Sequence, residues 1–148
     1  MNNLPKVNVK KLNHDAVMPK YGSEFAAGAD LCACITEPVT INPNETVMIH
    51  TGLSMEIPIG YAGLVYARSG IACKRGLAPA NKVGVIDSDY RGEIMVSLHN
   101  HSDAVQEIAD GERIAQLVIT PFLRAEFTET DELSDTVRGE GGFGSTGS

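Results

Sequence analysis

Apolar and β-branched residues recur along this chain in short runs with turn residues between them. The runs span Leu31 to Ile35, Val39 to Ile41, Thr46 to Thr51, Leu53 to Ile57, Ala62 to Tyr66, Lys82 to Ile86, Glu93 to His99, Val105 to Ile108, Ile114 to Thr120 and Ala125 to Thr128. Runs of this length and spacing predict strands of an all-β sandwich or barrel. Asn42-Pro43-Asn44, Pro58-Ile59-Gly60 and Ala109-Asp110-Gly111 supply the turns, each by the backbone preferences of Asn, Pro and Gly. Long amphipathic helices are missing. One short helix is expected at Ser69 to Arg75, with Ser69 as its cap and Lys74 and Arg75 at the end that favours cations.

After the last run the pattern changes. Residues 129–135 turn acidic and lose apolar periodicity, which reads as a linker. The final eleven residues, Arg138 to Ser148, hold five glycines, one arginine, one phenylalanine, a threonine and two serines. Glycine loses the most backbone entropy on ordering, so such a tail is expected to be flexible until a partner fixes it. The organisation read from the sequence is therefore one β domain over residues 1–128, then an acidic linker and a glycine-rich lid over residues 129–148. In the tail a guanidinium and hydroxyls suit phosphate oxygens, and a lone ring offers a face for a base. A plain glycine-serine end accounts for the same composition.

Charge narrows the partners. Nineteen acidic residues against twelve basic give a net charge of −7, which argues against a nucleic-acid polymer, since a phosphate backbone wants a basic stripe. No segment reaches the length of a membrane span and the N-terminus lacks an apolar signal core, so a soluble, intracellular, cytoplasmic protein is expected. Cys32, Cys34 and Cys73 form no CxxC, and the four histidines lack zinc spacing.

Four internal segments concentrate chemistry. Asp87 and Asp89 lie with Tyr90 in a turn between two strong β runs, which suits metal or water activation but equally a solvated turn. Asp30 opens an otherwise apolar strand, where a buried carboxylate needs a cation, water or metal beside it. Arg68, Ser69 and Gly70 bring a cation, a hydroxyl and helix N–H groups to one place; a phosphate or a salt bridge with a helix cap explains them alike. Arg113 and Gln116 interrupt the apolar run that follows Gly111, as a site or as a polar sheet edge.

Taken in order, these segments and the tail resemble the five motifs of the dUTP diphosphatase family, over about residues 4–148. The first resembles Ala27-Gly-Ala-Asp-Leu31, the second Arg68-Ser-Gly70 and the third Gly84-Val-Ile-Asp-Ser-Asp-Tyr-Arg-Gly92. Gly111-Glu-Arg-Ile-Ala-Gln116 and Arg138-Gly-Glu-Gly-Gly-Phe-Gly-Ser-Thr-Gly147 resemble the fourth and fifth. Ala67 stands where many relatives carry proline, and residues 73–76 fill a variable stretch.

The resemblance implies a distorted β-barrel or jelly-roll-like sandwich that hydrolyses dUTP to dUMP and pyrophosphate. It implies that Asp87 activates the attacking water, that Tyr90 packs under the deoxyribose and excludes a 2′-hydroxyl, and that Asn81 and the strand at Gly84 read uracil. Asp30 would act through water on a Mg²⁺ ion bound to the three phosphates. Arg68, Ser69, Gly70 and Gln116 would contact the phosphates; Phe143 would stack on the base, and Arg138, Gly144, Ser145 and Thr146 would close on the γ-phosphate. It also implies a homotrimer with shared active sites. Two rivals are a dCTP deaminase, which needs a glutamate near the base, and a nucleotide-binding β domain without turnover.

Overall fold

The computed structural model describes residues 4–144 and contains eleven strands and one helix among them. The strands are β1 (Asn8–Lys11), β2 (Lys20–Tyr21), β3 (Ala29–Cys32), β4 (Val39–Ile41), β5 (Thr46–Glu56), β6 (Tyr61–Tyr66), β7 (Leu77–Pro79), β8 (Gly84–Ile86), β9 (Glu93–Asn100), β10 (Gln106–Ile108) and β11 (Arg113–Pro121). The helix α1 (Ser69–Arg75) lies between β6 and β7.

Alternation places one face of each long strand inward. Ile94, Val96 and Leu98 of β9 are buried while Glu93, Met95 and Ser97 are not. Three antiparallel sheets result, with orders β1-β5-β9-β7, β10-β4 and β2-β3-β11-β6-β8, none closed on itself. All contribute to one apolar core, in which Leu31, Ile41, Ile49, Leu77, Leu98 and Ile114 are fully buried. Full burial of such a side chain contributes about 1.5–3 kcal/mol. The all-β, jelly-roll-like expectation therefore holds, as open packed sheets rather than a closed barrel.

Several local expectations change. The two runs on either side of Gly52 form one strand, because Gly52 adopts φ 68° and lets β5 continue through an irregularity. Ala125 to Thr128 forms no strand, and Phe127 is exposed. Helix α1 falls where expected, but its cap position is Arg68, not Ser69, and no side chain caps it. The helix is held instead at its far end. Gly76 takes the left-handed cap conformation, and Arg75 binds Gln106 Oε1 at 3.1 Å, the Glu112 carboxylate and the Glu107 carbonyl. Those contacts fasten α1 to β10 and to the start of β11. No helix among the described residues is long and apolar enough to cross a membrane.

Candidate active site

The sheet order sets the first part of the site. Strand β11 lies between β3 and β6, and its Gln116 is paired with Asp30 on one side and Tyr66 on the other. Three segments far apart in sequence thus meet at one corner. Arg68, just past the end of β6, donates from Nε to Asp30 Oδ1 at 2.7 Å, and Arg113 Nη1 approaches Asp30 Oδ2 at 3.6 Å. The carboxylate that required a partner has two cations beside it. Gln116 Nε2 donates to the Ala67 carbonyl at 2.8 Å, a main-chain contact that does not depend on the side chain at that position.

Gly28 completes the corner by what it lacks. A Cβ on it would lie 2.3 Å from Gln116 Oε1, so the first motif is pressed against the fourth. Ser69 and Gly70 form the exposed first turn of α1, where helix N–H groups have no intrahelical acceptor. A Cβ on Gly70 would meet nothing within 4 Å of this chain, leaving its face open to approach.

The second part is a pocket of about 220 Å³ beside the β8 hairpin, lined among others by Asn81, Gly84, Tyr90 and Glu93. Lys82 adopts φ 66°, and Val83 N–H donates to Asn81 O at 2.7 Å, which makes the turn before β8 very tight. Gly84 allows this strand to close: a Cβ there would sit 3.3 Å from Val65 Cβ and 3.4 Å from Asn81 Nδ2. After β8, Asp87 is exposed and its carbonyl accepts from Tyr90 N–H at 3.2 Å, closing the turn that carries both. Tyr90 Oη donates to the Glu93 carbonyl at 2.9 Å, and its ring lies over Gly92, where a Cβ would fall 2.4 Å from Oη.

The corner and the turn do not meet within one chain. In the β6–β8 pairing Val65 faces Gly84 and Gly63 faces Ile86, so Asp87 leaves the sheet beside the start of β6, whereas Arg68 leaves from its end. At about 3.3 Å per residue the two ends of β6 are roughly 16 Å apart. Among the described residues the tail joins neither part: Phe143 is fully exposed, and Arg138 Nε donates to Gly141 O at 2.7 Å within its own segment. Gly144 is exposed with φ 86°; Ser145 and Thr146 lie outside the described residues.

Burial, then the Asp30 charge, raises the Cys32 thiol, and burial with nearby acids raises Cys34; both are free thiols, as is exposed Cys73. His99 and His101 stand edge to face with ring centroids 4.4 Å apart, and desolvation, then His99 and Lys82, lowers the pKa of His101. Among the described residues no group of three His, Cys, Asp or Glu is arranged to hold a metal directly.

The family model for dUTPase matches residues 14–147. The chain belongs to the dUTPase family. It is 53% identical over 142 residues to a deoxyuridine 5′-triphosphate nucleotidohydrolase of Nautilia profundicola, covering 96% of this chain and 99% of that one. Its structure resembles the dUTPase of Staphylococcus bacteriophage 80alpha with dUPNHPP at a TM-score of 0.88 and 32% identity, covering 97% and 99% of the two chains. A mutant dUTPase from phage phi11 of S. aureus, described with a structural Mg(II) ion, matches at 0.79 and 27% identity over 88% of this chain and 99% of that one. The protein is thus a hydrolase of the dUTPase family. Gly28, the Ala67 carbonyl, Gly92 and Glu93 had no role in the sequence reading of the site. The two glycines stood inside quoted motifs; the other two were visible only after folding.

Proposed function

We propose that this protein hydrolyses dUTP to dUMP and pyrophosphate by water attack on the α-phosphorus, in active sites shared between the copies of a homotrimer. Such a reaction keeps uracil out of DNA and supplies dUMP for dTMP synthesis. The observation that carries the reading is the corner at Gln116, where register sets Asp30 beside Gln116 and the loop after β6 brings Arg68 onto Asp30, next to the exposed first turn of α1 at Ser69.

In this reading Asp87, an exposed carboxylate, accepts a proton from the attacking water. The water oxygen forms a bond to the α-phosphorus as the bond to the α–β bridging oxygen breaks, and pyrophosphate departs. Arg68 and Ser69 stabilise the charge that develops, and Gln116 lines the phosphates. Tyr90 packs under the deoxyribose, and Asn81 with the close β8 backbone reads uracil. From the tail, Phe143 stacks on the base while Arg138, Gly144, Ser145 and Thr146 close over the γ-phosphate.

Asp30 offers one carboxylate whose Oδ2 meets, among the described residues, Arg113 at 3.6 Å, a donor set that suits Mg²⁺ bound mainly by phosphates and waters. Bound there, the ion would neutralise triphosphate charge and favour a bent substrate. Separation of Asp87 from Arg68 along β6 supports a site completed by another copy, as do the exposed Leu123, Phe127, Leu133 and Val137.

Deamination of dCTP is the second reading. It needs a glutamate free to activate water, and the one lining this pocket has both carboxylate oxygens engaged, by Gly52 N–H at 2.9 Å and by His50 at 2.7 Å. Pyrophosphate release from dUTP, dTTP, dCTP and UTP, with and without Mg²⁺, tests the proposal; ammonia from dCTP without pyrophosphate from dUTP overturns it. Replacing Asp87 by Asn is expected to lower turnover by about a thousandfold while nucleotide affinity stays, because an amide cannot take the proton. Wild-type turnover in that variant would remove Asp87 from the role.

A further inference from the structure

Strands β5 and β9 pair regularly as far as His50 with Met95 and resume at Ser54 with Glu93, so Thr51, Gly52 and Leu53 stand opposite Ile94 alone. Such a bulge re-aims the groups around it. Here the polar groups of the bulge turn toward one neighbouring segment, residues 91–94. Ser54 Oγ donates to Arg91 O at 2.6 Å, Thr51 Oγ1 donates to Ile94 O, and Gly52 N–H donates to Glu93 Oε1 at 2.9 Å. His50 Nδ1 meets Glu93 Oε2 at 2.7 Å. The bulge is itself held in place, since a Cβ on Gly52 would lie 2.9 Å from Ala16 Cβ and 3.0 Å from Cys34 Sγ.

From the other side the same segment carries Tyr90. Its hydroxyl donates to Glu93 O, and its ring rests across Gly92. Glu93 therefore touches the bulge with its side chain and Tyr90 with its carbonyl. Its side chain is 22% exposed, with both oxygens engaged, so it is placed to hold rather than to react.

We propose that Glu93 is a positioning residue for sugar discrimination: anchored on the β5 bulge, it fixes the depth of Tyr90 and so the space allowed at C2′ of the nucleotide. This rests on the reading of Tyr90 as the residue under the deoxyribose. A bulky ring displaced by a fraction of its width admits a hydroxyl, and small displacements at a closely packed contact alter selectivity strongly.

The test compares Glu93→Ala and Glu93→Gln with wild type, measuring kcat and KM for dUTP and UTP together with Tm. In Glu93→Ala the dUTP:UTP ratio of kcat/KM is expected to fall about tenfold, carried by KM rather than kcat. Glu93→Gln still accepts from Gly52 N–H and is expected to keep the ratio within about threefold of wild type. A wild-type ratio in Glu93→Ala, whatever its Tm, overturns the inference and leaves the functional reading standing. Absence of any dUTP preference in the wild type overturns the functional reading and this inference with it. If Glu93→Ala does not fold, Glu93→Asp carries the test, because it draws the carboxylate back by one methylene from Gly52 N–H and His50: a lowered ratio supports the inference, an unchanged one overturns it.

Discussion

The corner at Gln116 and the tail beyond Val137 are proposed to grip the same triphosphate, yet they are built by opposite means. At the corner Asp30 and Arg68 are only 18% and 22% exposed in their side chains and are bonded across two elements of the fold. In the tail Arg138 bonds to a carbonyl three residues away, and Phe143 is fully exposed among the described residues. The entropy of arranging the corner is lost when the chain folds, while in the proposed reading that of arranging the tail is lost when a ligand binds. A substitution at the corner is therefore felt in stability and activity together, and one in the tail in activity alone.

Truncation after Val137 gives the largest expected effect. It removes every proposed tail contact and the closure that excludes water, so kcat/KM for dUTP is expected to fall by about a thousandfold. Calorimetry should show Tm unchanged, because residues 138–144 bury nothing in the core. A truncated chain that melts early would erase the contrast between the two regions. Asp30→Asn comes next. It breaks the pair with Arg68 and removes the carboxylate proposed for Mg²⁺, so activity is expected to fall by about a hundredfold and stability by about 1–2 kcal/mol. Loss of activity without loss of stability would mean that the pair does not hold the corner.

The corner was legible in the sequence only as separate pieces. Asp30 was marked by the cost of burying a charge, but no local feature says that β11 runs between β3 and β6, and that order alone brings Gln116 beside both Asp30 and Tyr66. Strands with weak apolar alternation leave little mark in the sequence. Strand β1 is largely exposed and is held by its pairing with β5, and β7 ends in Pro79, which an edge strand tolerates because the missing N–H faces no partner. Ala125 to Thr128 is the reverse case: β-forming residues that pair with no strand in this structure, because propensity depends on the surface a segment packs against. Glycine content is the reason to expect a free tail, but composition cannot say what a tail closes on.

Phe143→Ala separates stacking from closure within the tail. A base stacked on a ring contributes about 1–3 kcal/mol, so KM for dUTP is expected to rise about tenfold while kcat changes little and Tm not at all. If kcat falls instead and KM holds, Phe143 acts in closing the site rather than in holding the base.

Gly28→Ala has the smallest expected effect and probes the corner most finely. The backbone at Gly28 does not require glycine, since its φ lies outside the left-handed region; the constraint is the 2.3 Å that a Cβ would leave to Gln116 Oε1. That atom is the end of a flexible side chain, so the amide can swing away and give up its bond to Ala67 O instead of moving a strand. Losing one such bond costs about 0.5–1.5 kcal/mol, which for a chain of this size lowers Tm by about 2–4 °C. Turnover is expected to fall about fivefold because Gln116 no longer faces the phosphates. A loss above about 3 kcal/mol would mean that the strands had moved, and that the corner is a rigid unit in which Gln116 has no freedom of its own. Unchanged turnover with the small stability loss would leave Gln116 as a brace for the Arg68 loop, with the phosphate contacts falling to Arg68 and Ser69.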